Sequence, residues 1–473
     1  MTRNPVLAGG VRLAVAAPLV ALRTAAQPSP APADVLSRVP AVATAAIVDV
    51  AVVPMDRERL LEHQTVVVRD GRVVALGPAR TTAVPAGAVR VDGRGRYVMP
   101  GLVDMHAHFS AGDASLDTPA GRQLALYLAH GFTTARGLSA PAAILPAQLR
   151  LRDRIARGET LGPTLYVAGP SINGNSARTP ADGVRMVEEQ KRAGYDVLKT
   201  HGGLSAETYD SVAATARRLG VPLVGHVTPE YGLVRAYAAG QQVEHLDGWI
   251  AAIVKGGTPV PPGQLVLDPA VLARVDPAKL DSVVRETVRR GIWNGPTLAL
   301  FETLASDETP EQLAARPGLR YMPAAEVARW APAKAQLLGA PAEGRAAFVA
   351  LRRRIVRALH DAGAKLLVGS DSPQLYMAPG DAALREIDAF VAAGLSPYAA
   401  LEAATRNPAE WLGRADAGTV AVGKRADLLL LDANPLVDVS SLHKIAGLFV
   451  GGRWLDAAAL DGLRAGVLAR VQG

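Results

Sequence analysis

The apolar positions in the middle of the chain alternate between two spacings. Short runs rich in Val, Leu and Thr, which are typical of buried strands, are separated by stretches such as AETYDSVAATARRLG (206–220), where apolar residues recur at helical spacing. The strand-like segments are GLVDMHAH (101–108), GFTTAR (131–136), TLYVAG (164–169), YDVLKT (195–200), VPLVGH (221–226), QQVEHL (241–246), GIWNGPTLAL (291–300) and AKLLVGSD (364–371). This alternation predicts an α/β fold, a (β/α)8 TIM barrel over residues 101–415. Two surplus stretches, 256–269 and 303–345, are expected to form a lid or an entrance wall.

Both ends of the chain show the period-two pattern of strands. TVVVRDGRVVALG (65–77) is a predicted hairpin, because two β-branched runs flank Asp70 and Gly71, a pair suited to a tight turn. The same pattern recurs near the C-terminus in GTVAVGKRADLLLLDANP (418–435) and IAGLFVGGRWLD (445–456). We therefore expect one small β-sandwich domain built from residues 46–100 and 416–473, with the barrel inserted between them.

The N-terminal segment has the layout of a secretory signal peptide. Two arginines precede a short apolar run (13–22), and small residues follow at 24–26. We expect a signal peptide over residues 1–26, a linker over 27–45 and a secreted or periplasmic protein. A disordered Ala/Pro arm on a cytoplasmic protein is the alternative. No later apolar run is long enough to cross a bilayer, so we expect no stable membrane insertion.

The composition excludes several classes of function. The net charge of +7 is spread along the chain, and the arginine clusters at 289–290 and 352–354 lie in helix-like stretches, where a solvated face explains them. We therefore expect no nucleic-acid partner. The chain has no cysteine, which excludes disulfides, thiolate metal sites and a cysteine nucleophile.

His106 and His108 lie two residues apart at the end of the first predicted barrel strand. Residues two apart on a strand point the same way, so both imidazoles should face the end of the barrel where such enzymes hold their sites. Two neutral imidazoles that converge there suit a metal ion. A chance pair of surface histidines is the alternative for the motif taken alone.

Four more polar residues end predicted strands: Lys199 the fourth, His226 the fifth, His245 the sixth and Asp371 the eighth. A core histidine bonded to backbone would explain any one of them. Burying several ionisable groups at one end of a barrel is costly unless they pair or bind a cation. Together with the first histidine pair, they predict a metal site.

Several motifs resemble the metal-dependent amidohydrolase superfamily, in its imidazolonepropionase-like and prolidase-like branch. The motifs are PGLVDMHAH (100–108), VGHV (224–227), VEHLDG (243–248), VGSDS (368–372), AATRNPAEWLG (403–413) and GTVAVGKRADLLLLDANP (418–435). The resemblance covers nearly the whole chain after residue 46, and the ordered set is far more specific than any single motif.

The resemblance implies one or two divalent ions. His106 and His108 match the pair that binds the more buried ion, and His226 and His245 match the ligands of the second. Asp371 matches the aspartate that binds metal and takes a proton from the attacking water. Zinc is the first expectation for nitrogen and oxygen ligands, and manganese, iron and cobalt fit the same set.

Lys199 matches the lysine that, in members with two ions, reacts with carbon dioxide to form a bridging carbamate. A carbamate is anionic and has two oxygens, whereas an ammonium repels cations and offers no lone pair. The alternative is an unmodified lysine that neutralises Asp371 or binds a substrate carboxylate.

The resemblance implies a hydrolase of a carbon–nitrogen bond in a small molecule, through water activated by the metal. Candidate substrates are a cyclic amide, an N-acyl amino acid or a dipeptide. A lactonase or phosphotriesterase-like activity, a non-catalytic scaffold and a periplasmic binding protein are the alternatives. His201, Arg136 and Tyr231 are candidates for binding substrate, and related enzymes often form homo-oligomers.

Overall fold

The computed structural model describes residues 39–110, 112–256 and 265–472. The predicted signal peptide, the linker up to residue 38 and residues 257–264 of the first surplus stretch lie outside the described residues. Within the described part of the chain, no helix is long and apolar enough to cross a membrane.

The strands are β1 (Thr44–Val52), β2 (Leu61–Arg69), β3 (Arg72–Pro78), β4 (Val89–Asp92), β5 (Tyr97–Pro100), β6 (Leu102–Ala107), β7 (Phe132–Gly137), β8 (Thr164–Val167), β9 (Leu198–Thr200), β10 (Leu223–Gly225), β11 (Gln242–Glu244), β12 (Asn294–Gly295), β13 (Leu428–Leu431), β14 (Ile445–Val450) and β15 (Arg453–Asp456).

The helices are α1 (Pro119–Ala129), α2 (Leu145–Ala156), α3 (Pro180–Ala193), α4 (Ala206–Leu219), α5 (Gly232–Ala239), α6 (Trp249–Ile253), α7 (Pro269–Leu272), α8 (Pro277–Arg290), α9 (Leu298–Ala305), α10 (Pro310–Ala314), α11 (Ala324–Ala328), α12 (Ala331–Leu338), α13 (Ala342–Asp361), α14 (Asp381–Ala392), α15 (Pro397–Ala403), α16 (Arg406–Trp411) and α17 (Ala457–Gln472). Short 3-10 helices cover Pro317–Tyr321 and Val439–His443.

Strands from both ends of the chain form one eight-stranded sheet, in the order β15-β14-β13-β5-β1-β2-β3, with β4 also paired to β1. The sheet is continuous through β1 and β5. The predicted hairpin is present as β2 and β3, and Asp70 and Gly71 between them have φ values of 50° and 71°. Both values are positive, as a type I′ turn requires.

The run of four leucines in β13 shows how this sheet packs. Leu428 and Leu430 belong to a core within the sheet domain, whereas Leu429 and Leu431 belong to the large core shared with the middle of the chain. Neighbouring residues of a strand point to opposite faces, so an uninterrupted apolar run marks a strand buried on both sides.

The middle of the chain is mixed α/β with two parallel sheets, one of β6-β7-β8 and one of β9-β10-β11-β12. Single parallel bridges join their edges: Ala168 to Val197, Asn294 to Leu366 and Ala107 to Ser372. The predicted eighth strand has no continuous ladder, but its backbone is bonded on both sides. Leu367 N donates to Asn294 O at 2.9 Å, and Met105 N donates to Val368 O at 2.9 Å.

The prediction of the seventh strand over 291–300 is wrong in its second half, because α9 begins at Leu298. The preceding Pro296 has no backbone N–H for a ladder. Glu386, on α14, accepts from Leu298 N at 2.8 Å and from Ala299 N at 2.6 Å. This carboxyl satisfies the free N–H groups at the start of the helix, which a sequence window around residue 298 does not reveal.

The surplus stretch 303–345 folds into short helices beside the loop that follows Asp371. Leu313, Leu319 and Met322 pack in a small apolar cluster with Tyr376 of that loop. This cluster packs the stretch 303–345 against the loop that follows Asp371. An entrance wall was expected from this stretch.

Candidate metal centre

Three predicted ligands meet at the end of β6. His108 Nε2 lies 2.6 Å from Asp371 Oδ1, and His106 Nε2 lies 3.2 Å from the same oxygen. The three side chains offer one donor atom each within 4.8 Å of one another, close enough to hold a metal ion. Nitrogen and carboxylate donors in this arrangement suit a first-row divalent ion.

Further histidines extend this cluster. The His245 ring lies 4.7 Å from that of His106 and 4.7 Å from that of His226 between centroids. His245 Nε2 lies 3.9 Å from Asp371 Oδ2. The His201 ring, 4.8 Å from that of His226, lies at the edge of the group.

Lys199 lies beneath the histidines and is fully buried. Its Nζ lies 3.3 Å from His106 Nε2. Burial lowers the pKa of Lys199, although the carboxylates of Glu244 and Asp371 oppose that shift. The structure thus brings together the six side chains that the sequence pattern singled out as metal ligands.

The remaining ring nitrogen of each histidine already has a partner. The Nδ1 contacts are Glu244 Oε2 at 2.9 Å for His106, Ser139 O at 3.0 Å for His108, Asp247 Oδ2 at 2.7 Å for His226 and Thr297 Oγ1 at 2.8 Å for His245. Such contacts fix the orientation of the ring and leave the Nε2 lone pair to bind a metal ion, which is the usual arrangement of histidine ligands. The donor set therefore fits a metal ion.

Burial keeps the inner histidines neutral. The pKa of His106 lies well below its ordinary value because of burial and the nearby Lys199 cation. The pKa of His245 is lowered in the same way, by burial and by His226. A neutral imidazole is the form that binds metal, so these rings need not lose a proton first.

Left-handed backbone lies at three positions around the cluster. His245 has φ 62°, Thr297 φ 49° and Asp371 φ 57°, values that cost energy for residues other than glycine. The left-handed backbone at His245 interrupts the alternation of side chains between the two faces of β11. As a result, Glu244 and His245, which are neighbours in sequence, both direct their side chains toward His106.

Arg136 does not line an open pocket, contrary to its predicted role in binding substrate. It is fully buried and donates to Met105 O at 2.7 Å, Gln242 Oε1 at 2.8 Å and Glu244 Oε1 at 2.9 Å. Each nitrogen of its guanidinium therefore has a partner inside the protein, and Arg136 holds the carboxylate that orients His106.

Tyr231 also has an internal role in place of the predicted contact with substrate. It is buried, its hydroxyl donates to His226 O, and its ring stacks on Tyr209 with centroids 3.8 Å apart. His201, the third such candidate, is bonded through Nδ1 to Ser171 Oγ at 2.6 Å and stays beside the metal ligands.

A buried network beneath the cluster was missed from the sequence. Asp104 accepts from His106 N at 3.0 Å, from Ser370 Oγ at 2.5 Å and from Tyr127 Oη at 3.0 Å. Burial raises the pKa of Asp104 to about 6 and that of Glu244 to about 7. Asp104 precedes His106 by two residues on the same strand, so period-two spacing was the signal that could have found it.

A model of the amidohydrolase family matches residues 97–455. The chain belongs to the amidohydrolase family. The expected branch, imidazolonepropionase-like and prolidase-like, is confirmed, as is the expected class of enzyme, a hydrolase of carbon–nitrogen bonds. This amidohydrolase is 26% identical over 384 residues to imidazolonepropionase from Mycolicibacterium smegmatis, across 79% of this chain and 85% of that protein.

Solved structures agree with the family. The bottromycin amidohydrolase AH superposes with a TM-score of 0.68 and 25% identity, over 93% of this chain and 92% of that one. A Xaa-Pro dipeptidase with methionine in its active site superposes with a TM-score of 0.64, over 87% of this chain and all of that one. At 18% identity, the second likeness shows the fold alone.

Proposed function

We propose that this amidohydrolase uses one or two divalent metal ions, zinc first among them, to hydrolyse an amide, a cyclic amide or a dipeptide. The observation that supports this most is the shared contact of His106 and His108 with Asp371, at 3.2 and 2.6 Å. The Nδ1 atoms of the four histidines are bonded to other groups of the protein, so each Nε2 lone pair can bind a metal ion.

A closed barrel is part of the proposal. The bridges Ala168–Val197, Asn294–Leu366 and Ala107–Ser372 link the two parallel sheets and the segment 364–372 edge to edge. Eight strands linked in this way form a cylinder whose strand ends share one mouth. The proposed domains are this barrel over 101–415 and the sheet domain from 46–100 and 416–473.

In the proposed site, His106, His108 and Asp371 would hold one ion, and His226 and His245 would hold the second. A bound divalent ion supplies Lewis acidity, which lowers the pKa of water and polarises the oxygen of the bond to be cleaved.

The second catalytic element is Asp371, the proposed general base. Its carboxylate accepts the proton of the attacking water and returns it to the leaving nitrogen, which makes the nitrogen a better leaving group. Contacts with His106 and His108 hold the carboxylate in one orientation for both transfers.

Lys199 is the proposed bridge between the two ions. Its burial favours the neutral amine, which attacks carbon dioxide; the amine then loses one proton and becomes an anionic carbamate. That anion would supply negative charge close to His106, where a protonated lysine would oppose metal binding.

The test of this function is a screen of the metal-reconstituted protein against N-acyl amino acids, dipeptides, hydantoin-like rings and lactones. We expect turnover of a carbon–nitrogen substrate that needs added metal and is lost with a chelator. Turnover of lactones alone, or turnover unaffected by removal of metal, would overturn the proposal.

Export through the N-terminal segment is proposed on the sequence pattern of residues 1–26. N-terminal sequencing of the protein recovered from its native host should begin near Gln27. An intact Met1 would contradict it.

A further inference from the structure

A cavity lies away from the metal centre, between the end of α9, the segment 306–316 and helices α13 and α14. Its volume is about 560 Å³, in the range that small-molecule sites occupy. Thr297, just before α9, contacts His245, whereas Thr303 and Ser306 at the other end of that helix line the cavity. An eight-residue helix is about 12 Å long, so the two sites are distinct.

Positive charge predominates in the lining. Three carboxylates each pair with one arginine: Glu308 with Arg316, Asp307 with Arg345, and Glu302 with Arg353. Arg385 is the fourth arginine of the lining, and among the described residues no carboxylate lies within ion-pair distance of it. One arginine of the cavity therefore has no direct ion pair, and Asp381, Glu308 and Asp388 act on its charge only from a greater distance.

Two of these guanidinium groups converge on a single neutral oxygen. Thr303 Oγ1 accepts from Arg385 Nη2 at 2.9 Å and from Arg316 Nη1 at 3.1 Å. Burial lowers the pKa of Arg385 and the charge of Arg316 adds to this shift, whereas Asp381, Glu308 and Asp388 oppose it. A hydroxyl carries no charge and Arg316 already pairs with Glu308, so an anion beside Arg385 would supply the direct ion pair that this guanidinium lacks.

The wall formed by α13 has an apolar stripe between Arg345 and Arg353, which are both paired with carboxylates. Ala342, Ala346 and Ala350 recur every fourth residue on α13, are exposed, and line the cavity together with the half-buried Val349. Residues at this spacing form one face of a helix. A ligand that contacts both walls needs an apolar body and an anionic end.

We propose that this cavity binds a small carboxylate with an apolar body, its carboxylate paired with Arg385 and its body against the alanine face of α13. A guanidinium binds a carboxylate through two parallel hydrogen bonds, which explains why arginine suits this position. The proposal does not depend on the reaction catalysed at the metal centre.

The test uses sodium hexanoate as the probe, in calorimetric titration of the full-length, metal-loaded protein. We expect saturable binding to the wild type and no binding of hexylamine, which has the same body and the opposite charge. Arg385→Gln should weaken hexanoate binding at least tenfold, and Arg385→Lys should restore part of it. Arg354→Gln, at an exposed arginine of α13, is the control and should bind as the wild type does.

Two further arms keep the proposal falsifiable if Arg385→Gln is poorly folded. Ala350→Asp places a carboxylate on the apolar wall and should also weaken binding tenfold or more. His106→Asn should leave binding unchanged, because that residue belongs to the metal centre. Wild-type affinity for hexanoate in Arg385→Gln or in Ala350→Asp would overturn the proposal. Loss of binding in His106→Asn, or inorganic phosphate that binds as tightly as hexanoate, would overturn it too.

Discussion

Thr297 Oγ1 lies 2.8 Å from His245 Nδ1, and both residues have left-handed backbone. The contact links the start of α9 to a proposed metal ligand. The same start is held by Glu386, which is fully buried and accepts from two backbone N–H groups of α9. Helix, threonine and imidazole thus form one continuous chain of contacts that orients His245.

Thr297→Val keeps the shape of the side chain and removes the oxygen bonded to His245. Loss of such a supporting contact costs about 10- to 100-fold in metal affinity. Competition with a chelator of known affinity measures the effect on the proposed second ion. Thr81→Val, at an exposed position, should change nothing. Equal affinity in Thr297→Val and the wild type would show that the contact does not orient the ligand.

Glu386→Gln tests the buried carboxyl at the start of α9. Burial raises the pKa of Glu386 from its ordinary 4.5 to about 8, so the folded state holds a proton that the unfolded state releases between these values. The contribution of this group to stability is therefore full at low pH and falls as pH rises from about 5 to about 8.

Denaturant unfolding of Glu386→Gln and the wild type at several pH values measures this contribution. Glutamine does not titrate, so the advantage of the wild type over the variant should shrink as pH rises. If the stabilities of Glu386→Gln and the wild type differed by a constant amount over this pH interval, the raised pKa of Glu386 would be contradicted.

Gly369→Ala should disturb the centre through packing alone. A Cβ at Gly369 would lie 2.7 Å from His106 Cβ, closer than two carbons can approach, so His106 must move. We expect weaker metal binding by the variant with little change in secondary structure, checked by metal titration and circular dichroism. Gly462→Ala, where a Cβ meets nothing within 4 Å, is the matched control. Unchanged metal binding in Gly369→Ala would mean that the contact with Gly369 does not fix the position of His106.

Asp371→Asn keeps an oxygen beside His108 but cannot accept a proton. Loss of a general base costs about 10²- to 10⁴-fold in turnover. We expect a kcat reduced by this factor on the substrate identified in the screen, while the variant retains part of its metal. A wild-type rate would exclude Asp371 as the base.

Lys199→Ala removes the proposed bridge and should abolish activity. If the bridge is a carbamate, a short carboxylic acid supplied with metal can occupy the same space and restore some turnover. Lys199→Met, which fills the space without charge, should not be rescued. Activity of Lys199→Ala equal to that of the wild type would rule out a bridging role.

Period-two spacing was enough to place His106 and His108 on one side of a strand, and the end of an apolar run placed Lys199. Positions that depend on distant partners were not predictable in this way. Arg136 ends a strand-like segment, as a polar residue exposed at the mouth of a barrel would. It is buried instead, where it donates to Glu244, which lies 108 residues away in the sequence. A window of local sequence cannot report such a partner.

The eight-stranded sheet has a consequence for how the chain acquires its structure. β13 lies between β5 and β14, so β5 keeps an open edge until Leu428–Leu431 have been synthesised. An open strand edge invites pairing with other chains. During synthesis the protein is therefore exposed to aggregation along β5, and deleting the residues from β13 onward would leave that exposure permanent.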